Sequence, residues 1–340
     1  MELALIQKTL IAYLLEQALW PDVDYGALTL IGRGWESDIY RLEVLPTSMR
    51  DARLAPASLV LRYYPAEDAL QKSAREFGAL QNLYRAGYPV PRPYLLEQQA
   101  SILGKPFIIM EFIEGEQMWQ VIDRSSPEHM ARLLGILCDL LARLHHLDWR
   151  LFTSEKSQDP YHWVDTWLHN VAWALDNYQM PAFQPLLDWL HSQRDRVPCF
   201  RPAPLHGDFH PANILLQPEG KAVVVDWTQF EVGDPRFDLA WTMLLVGAYE
   251  GEELRPVLLD LYQAAHGEPV QEFDYFDMAV CIKRLAHFYI SLTQSPEKTG
   301  MQSGAADAMR GQFAIYQRIY DRLVAGTSVH IAELEDLLSS

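Results

Sequence analysis

The chain has 340 residues, of which 49% are hydrophobic, and a formal net charge of 28 − 45 = −17. This hydrophobic share supplies a sizeable core, which excludes a largely disordered chain. The excess of acids argues against nucleic-acid partners and anionic membrane surfaces, because both repel a polyanion. The length predicts two domains or one large two-lobed one, since a domain commonly takes roughly 100–200 residues.

The cysteines and the apolar runs indicate the cellular compartment of the protein. Cys138, Cys199 and Cys281 are far apart and odd in number, which argues against a disulfide framework and for a reducing cytoplasm. The chain start has no basic segment before an apolar stretch. No apolar run approaches the ~20 residues that span a bilayer. We expect a soluble cytoplasmic protein without a membrane partner.

The first part of the chain predicts an antiparallel sheet that carries helices. Helical spacing of apolar residues, short β-prone runs and Gly or Pro breaks define the elements. In chain order these are a helix over 2–19, strands at 28–31, 39–44 and 58–64, a helix over 68–86, a stiff connector with prolines at 89, 91 and 93, and a strand at 107–113.

The remainder reads as mostly helical, most clearly over 133–147, with a short helix after 325. The exception is 205–226, where short strands at 214–216 and 222–225 flank a Pro218-Glu-Gly220 turn. This pattern predicts an amino-terminal lobe over 1–114 and a carboxy-terminal lobe over 115–340.

The segment His206-Gly-Asp208-Phe-His-Pro-Ala-Asn213, followed by Asp226-Trp, has the residue types that phosphoryl transfer requires. A carboxylate must orient the acceptor hydroxyl and take its proton, and oxygen ligands must hold Mg²⁺ on a triphosphate. A hairpin can bring Asp208, Asn213 and Asp226 to one edge. Asn213 and Asp226 suit Mg²⁺, which prefers hard oxygen ligands.

This H-G-D-x-x-x-x-N pattern with a following D-W resembles the aminoglycoside phosphotransferase and choline kinase family. The resemblance implies an α+β, protein-kinase-like bilobal fold with a small antiparallel-sheet lobe and a mostly helical lobe. It also implies Asp208 as the catalytic base, with Asn213 and Asp226 as magnesium ligands. His206 would support the loop, and Asp238 would hydrogen-bond its backbone from a buried helix.

The amino-terminal half has the nucleotide-binding residues in the order that a kinase requires. A glycine-rich turn contains Gly32, Gly34 and Ser37, the last at the position of a third glycine. Arg62 follows on the third predicted strand and Glu76 on the next helix. Arg62 stands where protein kinases have lysine, but it still offers a permanent charge and a bidentate fork for phosphate.

The segment Met110-Glu111-Phe-Ile113 resembles the hinge between the lobes of this family. The resemblance implies that the Glu111 carbonyl and the Ile113 N–H bind the nucleobase. Backbone contacts leave no side-chain signature, so ATP and GTP stay equally open as co-substrates.

The sequence therefore predicts a Mg²⁺-dependent kinase that transfers the γ-phosphate of ATP or GTP to a hydroxyl of a small acceptor. The acidic balance favours an aminoglycoside-like or other cationic acceptor. One alternative is a catalytically weak nucleotide-binding regulator, motivated by Arg62. A second is a metallohydrolase that uses His206, Asp208, His210 and Asp226. A protein kinase is disfavoured because Asp226-Trp-Thr replaces Asp-Phe-Gly.

Overall fold

The structure is a computed structural model that describes residues 3–20, 23–33, 37–47, 56–65, 68–155, 157, 159–295, 298 and 304–339. The chain divides into two compact units. The first consists of Met1–Glu116 and Ile214–Thr228, and the second of Gln117–Asn213 and Gln229–Ser340. The first unit thus includes a hairpin from late in the chain, beyond the continuous stretch 1–114 that the sequence predicts.

The strands, in chain order, are β1 (Val23–Arg33), β2 (Asp38–Pro46), β3 (Ser58–Tyr63), β4 (Pro93–Glu97), β5 (Phe107–Glu111), β6 (Glu116–Gln117), β7 (Ala203–Leu205), β8 (Ile214–Leu216), β9 (Ala222–Val224) and β10 (Glu231–Gly233). The helices are α1 (Leu3–Gln17), α2 (Ala69–Arg85), α3 (Ala100–Leu103), α4 (Met118–Ile122), α5 (Pro127–His145), α6 (His162–Asn177), α7 (Gln184–Gln193), α8 (Arg236–Glu250), α9 (Leu254–His266), α10 (Phe273–Thr293), α11 (Ala305–Arg310), α12 (Phe313–Thr327) and α13 (Ala332–Ser339).

The first unit is organised by an antiparallel sheet in the order β1-β2-β3-β5-β4. β1 is longer than the predicted run because two register shifts, at Tyr25/Leu28 and at Leu30/Gly32, keep it paired with β2 through its glycines. Gly32 therefore lies inside a strand and not in the turn that was predicted to contain it. Gly34 lies outside the described residues.

The predicted proline connector was wrong in part, because Pro93 begins strand β4 at the edge of the sheet. A proline has no N–H for the ladder, so sheets tolerate it at an edge or at the first residue of a strand. On the sheet, α1 buries Ile6, Leu10 and Leu14 at helical spacing against the strand residues, which explains why this amphipathic helix forms.

The hairpin β8–β9 completes the first unit. The Val224 N–H donates to the Pro89 carbonyl at 2.8 Å, and the rings of Tyr88 and Trp227 meet edge to face at 5.8 Å. Trp227 is fully buried. These contacts fix the segment that follows β9, which contains Asp226.

The second unit is mainly helical, and its core includes residues of α6, α7, α8, α10 and α12. α8 is buried on nearly all sides over Phe237–Ala248, as expected for a helix through the middle of a core. The short pair β7–β10 lies in this unit and delivers the chain directly into residues 206–213. Within the described residues, none of the helices combines the length and apolar character needed to cross a bilayer.

Candidate active site

Residues 206–213 form a loop whose backbone is held from α8. Asp238 accepts hydrogen bonds from the N–H groups of His206, at 2.6 Å, and Gly207, at 2.8 Å. Gly207 has φ +79°, and a Cβ there would lie 2.5 Å from the Gln229 carbonyl oxygen. Only glycine meets both conditions, so the H-G-D sequence encodes this turn directly.

Asp238 is 1% exposed and belongs to a buried polar network. His145 Nε2 lies 3.6 Å from its carboxylate, and His145 Nδ1 pairs with the Tyr262 hydroxyl at 2.7 Å. Burial acts to raise the pKa of Asp238, but His145, His206 and the backbone N–H groups outweigh it and hold this pKa below its usual range. The loop is therefore anchored on an ionised carboxylate.

Asp208 presents its carboxylate from this loop, with its side chain 35% exposed. Oδ1 accepts a hydrogen bond from Trp241 Nε1 at 2.7 Å, and Oδ2 lies 3.4 Å from His210 Nε2. Burial acts to raise the pKa of Asp208, but His210, His206 and the Trp241 N–H outweigh it, so this pKa lies well below its usual range. At neutral pH the group is a positioned anion.

Asn213 is oriented by the same loop. Its Nδ2 donates to the Asp208 carbonyl at 2.9 Å and lies 3.3 Å from His210 Nε2. No hydrogen bond to its Oδ1 is found within the part of the chain that the structure describes. The amide oxygen is thus left as a hard donor of the kind that Mg²⁺ accepts.

In the first unit, Arg62 on β3 lies at the centre of a separate charged cluster. It is 6% exposed, and each of its three nitrogens has a partner: Nη1 donates to Glu76 at 2.8 Å, Nη2 to Asp226 at 2.7 Å and Nε to Ser37 Oγ at 3.0 Å. Burial lowers the pKa of Arg62, but Asp226 and Glu76 outweigh this and raise it above its usual range. Four predicted site residues therefore meet here.

Asp226 has φ +68°, in the left-handed region that Asp tolerates better than most residues. Its Oδ1 also accepts from Thr228 Oγ1 at 3.2 Å, and its side chain is 39% exposed. An unusual backbone conformation at a carboxylate is a common feature of functional positions. The exposed part of the carboxylate offers the oxygen chemistry that suits Mg²⁺.

The remaining predicted residues of the first unit are less constrained. Glu111 ends β5, and its N–H donates to the Arg92 carbonyl at 2.9 Å. Among the described residues, the Ile113 N–H has no backbone partner outside the regular elements, which leaves it available as a donor. Gly32 pairs with Ile39, and a Cβ there would meet no heavy atom closer than 4.0 Å.

Sequence reasoning missed Trp241, Thr242 and Lys283. Thr242 Oγ1 donates to the Phe209 carbonyl at 2.8 Å, and Lys283 Nζ donates to the Gly207 carbonyl at 3.2 Å. One signal was present: Asp238, Trp241 and Thr242 share one helix face at i, i+3 and i+4, and all three contact the loop.

The described residues show which side chains could hold a metal ion. Over the described ranges, no group of three or more His, Cys, Asp or Glu side chains is arranged to hold a metal ion. The amide oxygen of Asn213 and the partly exposed carboxylate of Asp226 are each a hard oxygen donor of the kind that Mg²⁺ accepts.

The fold is the predicted α+β, protein-kinase-like bilobal fold, and proteins with known structures confirm it. A Ralstonia eutropha protein whose name assigns it to the aminoglycoside phosphotransferases matches with a TM-score of 0.66 and 19% identity, over 93% of this chain and 98% of that one. Aminoglycoside phosphotransferase APH(4)-Ia, solved with ADP and hygromycin B, matches with a TM-score of 0.59 and 14% identity, over 94% and 98%. The chain thus has the kinase-like fold that these phosphotransferases share.

The phosphotransferase enzyme family model matches residues 27–277, well over half of the chain. The chain belongs to this family. Among named proteins, acyl-CoA dehydrogenase family member 10 of Mus musculus is 31% identical over 209 residues, which make up 56% of this chain. The match spans 19% of that longer protein, so its dehydrogenase name assigns no activity here.

Proposed function

We propose that the protein is a Mg²⁺-dependent small-molecule kinase that transfers the γ-phosphoryl group of ATP or GTP to an acceptor hydroxyl. The observation that carries this proposal is the Asp208 carboxylate, held by the Trp241 N–H on a loop anchored through Asp238. Membership of the phosphotransferase family supports it. APH(4)-Ia was solved with ADP and hygromycin B, and we likewise expect a nucleotide and a small molecule to bind here.

In this mechanism the acceptor hydroxyl donates a hydrogen bond to Asp208, which points the hydroxyl oxygen at the phosphorus. The new O–P bond forms while the bond from phosphorus to the leaving nucleotide oxygen breaks, and the hydroxyl proton moves to the Asp208 carboxylate. The low pKa of Asp208 makes it a weak base. This suits a loose transition state, in which the proton leaves late and positioning dominates.

The bound Mg²⁺ would neutralise charge on the transferring phosphates, and Asn213 and Asp226 are its proposed protein ligands. Arg62 is proposed to brace the phosphates while Glu76 orients it. Gly32, Gly34 and Ser37 would cover the phosphates. Backbone groups of Glu111 and Ile113 would bind the base. His206, through Nδ1, accepts a hydrogen bond from the Asp208 N–H at 3.3 Å and would keep the loop in place.

One observation favours the second candidate, a nucleotide-binding regulator with weak catalysis. Arg62 is buried and its charge is already balanced by the carboxylates of Glu76 and Asp226, so it attracts a phosphate less strongly than an unpaired cation would. This weaker attraction would reduce nucleotide turnover without preventing Mg²⁺-dependent binding.

The test is an ATP- and GTP-consumption screen over antibiotics and metabolite alcohols, with Asp208→Asn as the control. The proposal predicts Mg²⁺-dependent phosphorylation of at least one acceptor by the wild type, reduced about 1000-fold or more in Asp208→Asn. Nucleotide binding without transfer to any acceptor would favour the regulator. Transfer by Asp208→Asn at the wild-type rate would contradict the role of Asp208.

A further inference from the structure

A basic side chain of α10 lies beside the loop that carries the proposed base. Lys283 Nζ donates to the Gly207 carbonyl at 3.2 Å and lies 4.8 Å from the ring centroid of Trp241. Trp241 is the residue that donates to Asp208. An ammonium group has three N–H donors, so Lys283 keeps donors for a ligand at Asp208.

Arg284 is the next residue along α10. Its guanidinium carbon lies 5.2 Å from the Tyr316 ring centroid, and its buried Nε has no hydrogen-bond partner among the described residues. Across those same residues, no carboxylate lies within 4 Å of the basic groups of Lys283 or Arg284. By contrast, Arg255 and Arg322 of the same unit share Asp277. Cations without a carboxylate partner stand out in a chain with net charge −17, in which acids are abundant.

His287, one turn after Lys283, reports on the local field. Burial, followed by the charges of Lys283 and Arg284, lowers the pKa of His287 to about 3 despite the opposing charge of Asp208. His287 is therefore neutral at pH 7, and Lys283 and Arg284 remain the cations at this part of α10.

The residues that continue this surface are mostly aromatic. Trp119 lies 5.8 Å from the His210 ring and 5.3 Å from the Tyr249 ring. The acid in this region, Glu250, already accepts a hydrogen bond from the Trp119 N–H. Beside the Asp208 carboxylate itself, a cationic acceptor would thus meet an acid that is already engaged, Glu250, and two cations without carboxylate partners.

We propose that the acceptor is an anion whose carboxylate or phosphate binds Lys283 and Arg284 while its hydroxyl contacts Asp208. This inference rests on the kinase function proposed above. It reverses the expectation of a cationic acceptor, which came from the net charge of the whole chain. Charges spread over the surface are screened beyond roughly 8–10 Å, whereas Lys283 and Arg284 act within the site.

The test measures binding by calorimetry in the presence of Mg²⁺ and a non-hydrolysable ATP analogue. The probes are short hydroxy acids, the hydroxyalkyl phosphates of matched length and the amino alcohols of matched length. The first two series distinguish a carboxylate from a phosphate as the bound anion. The proteins are wild type, Arg284→Met, Arg284→Lys and, as a matched control, Arg310→Met, whose exposed side chain pairs with Asp307.

We expect one of the two anionic series to bind more tightly than the amino alcohols. Arg284→Met should weaken this binding about 10- to 100-fold, because it removes a charge-assisted contact. Arg284→Lys should restore part of the affinity and Arg310→Met should change nothing. Tighter binding of the amino alcohols, binding of no series, or no effect of Arg284→Met would overturn the inference. Failure of the kinase function itself would appear separately, as no binding of the ATP analogue or as no phosphoryl transfer to any acceptor of the screen.

Discussion

The charged cluster around Arg62 and the one around Asp208 are built from different contacts. In the first unit, a buried arginine binds two carboxylates and a hydroxyl, so charge pairs with charge. In the second, the Asp208 carboxylate accepts from a neutral indole N–H and keeps a third of its side chain exposed. The loop behind it is fixed by backbone hydrogen bonds to Asp238. The Asp208 cluster is thus preorganised, whereas in the Arg62 cluster two carboxylates compete with a phosphate for the guanidinium charge.

The largest expected effect is at the anchor of the Asp208 cluster. Asp238→Ala removes a buried carboxylate and leaves two buried N–H groups and His145 without their acceptor. We expect the free energy of unfolding to fall by about 3–5 kcal/mol, measured by urea denaturation. Asp260→Ala, at an exposed position of α9, is the control. A loss below about 1 kcal/mol would mean that the loop does not depend on Asp238.

The next effect tests whether the Arg62 cluster binds phosphate. Arg62→Met should raise the KM for MgATP about 10- to 100-fold, and Arg62→Lys should raise it less, because lysine keeps the charge but loses the fork. Steady-state kinetics at saturating acceptor measure this. Arg85→Met, an exposed residue of α2, should match the wild type. An unchanged KM in Arg62→Met would make Arg62 a structural residue only.

A smaller effect separates positioning of the base from nucleotide binding. Trp241→Phe keeps an aromatic ring but removes the N–H donor to Asp208. We expect kcat to fall about 10-fold, with the KM for MgATP unchanged, since one hydrogen bond to a charged group is lost. Trp173→Phe, at an exposed position of α6, serves as the control. A change in the KM for MgATP alone would contradict this assignment.

The smallest effect concerns pH. Because the pKa of folded His287 is lowered to about 3, only the unfolded chain binds a proton there as the pH falls below about 6.5. The stabilisation that arises because folded His287 stays neutral is complete above about pH 6.5. Below that pH the free energy of unfolding declines by at most about 1.4 kcal/mol per pH unit. His287→Gln should flatten this slope in urea unfolding at pH 7.5 and 5.5, whereas the exposed His169→Gln should not. If the free energy of unfolding depended equally on pH in the wild type and in both variants, the lowered pKa of His287 would be contradicted.

The parts that sequence could predict are local. Asp208 and Asn213 are five residues apart in one loop, and their spacing is typical of phosphotransferases. Strand β4 was missed because the prolines at 89, 91 and 93 indicate a break. The sheet tolerates Pro93 because β4 lies at its edge. Lys283 is 76 residues from the Gly207 carbonyl that it contacts, so no spacing could reveal it. The prediction of a cationic acceptor rests on net charge, which averages over the surface and contains no information about the charges at Asp208.

The most direct measurement is single-turnover transfer of the γ-phosphoryl group from labelled MgATP to an acceptor taken from the screen, in wild type and Asp208→Asn. The account predicts that Asp208→Asn binds MgATP with wild-type affinity and transfers the label about 1000-fold or more slowly. Transfer within about tenfold of the wild type, at normal MgATP affinity, would contradict the claim that Asp208 acts on the acceptor hydroxyl.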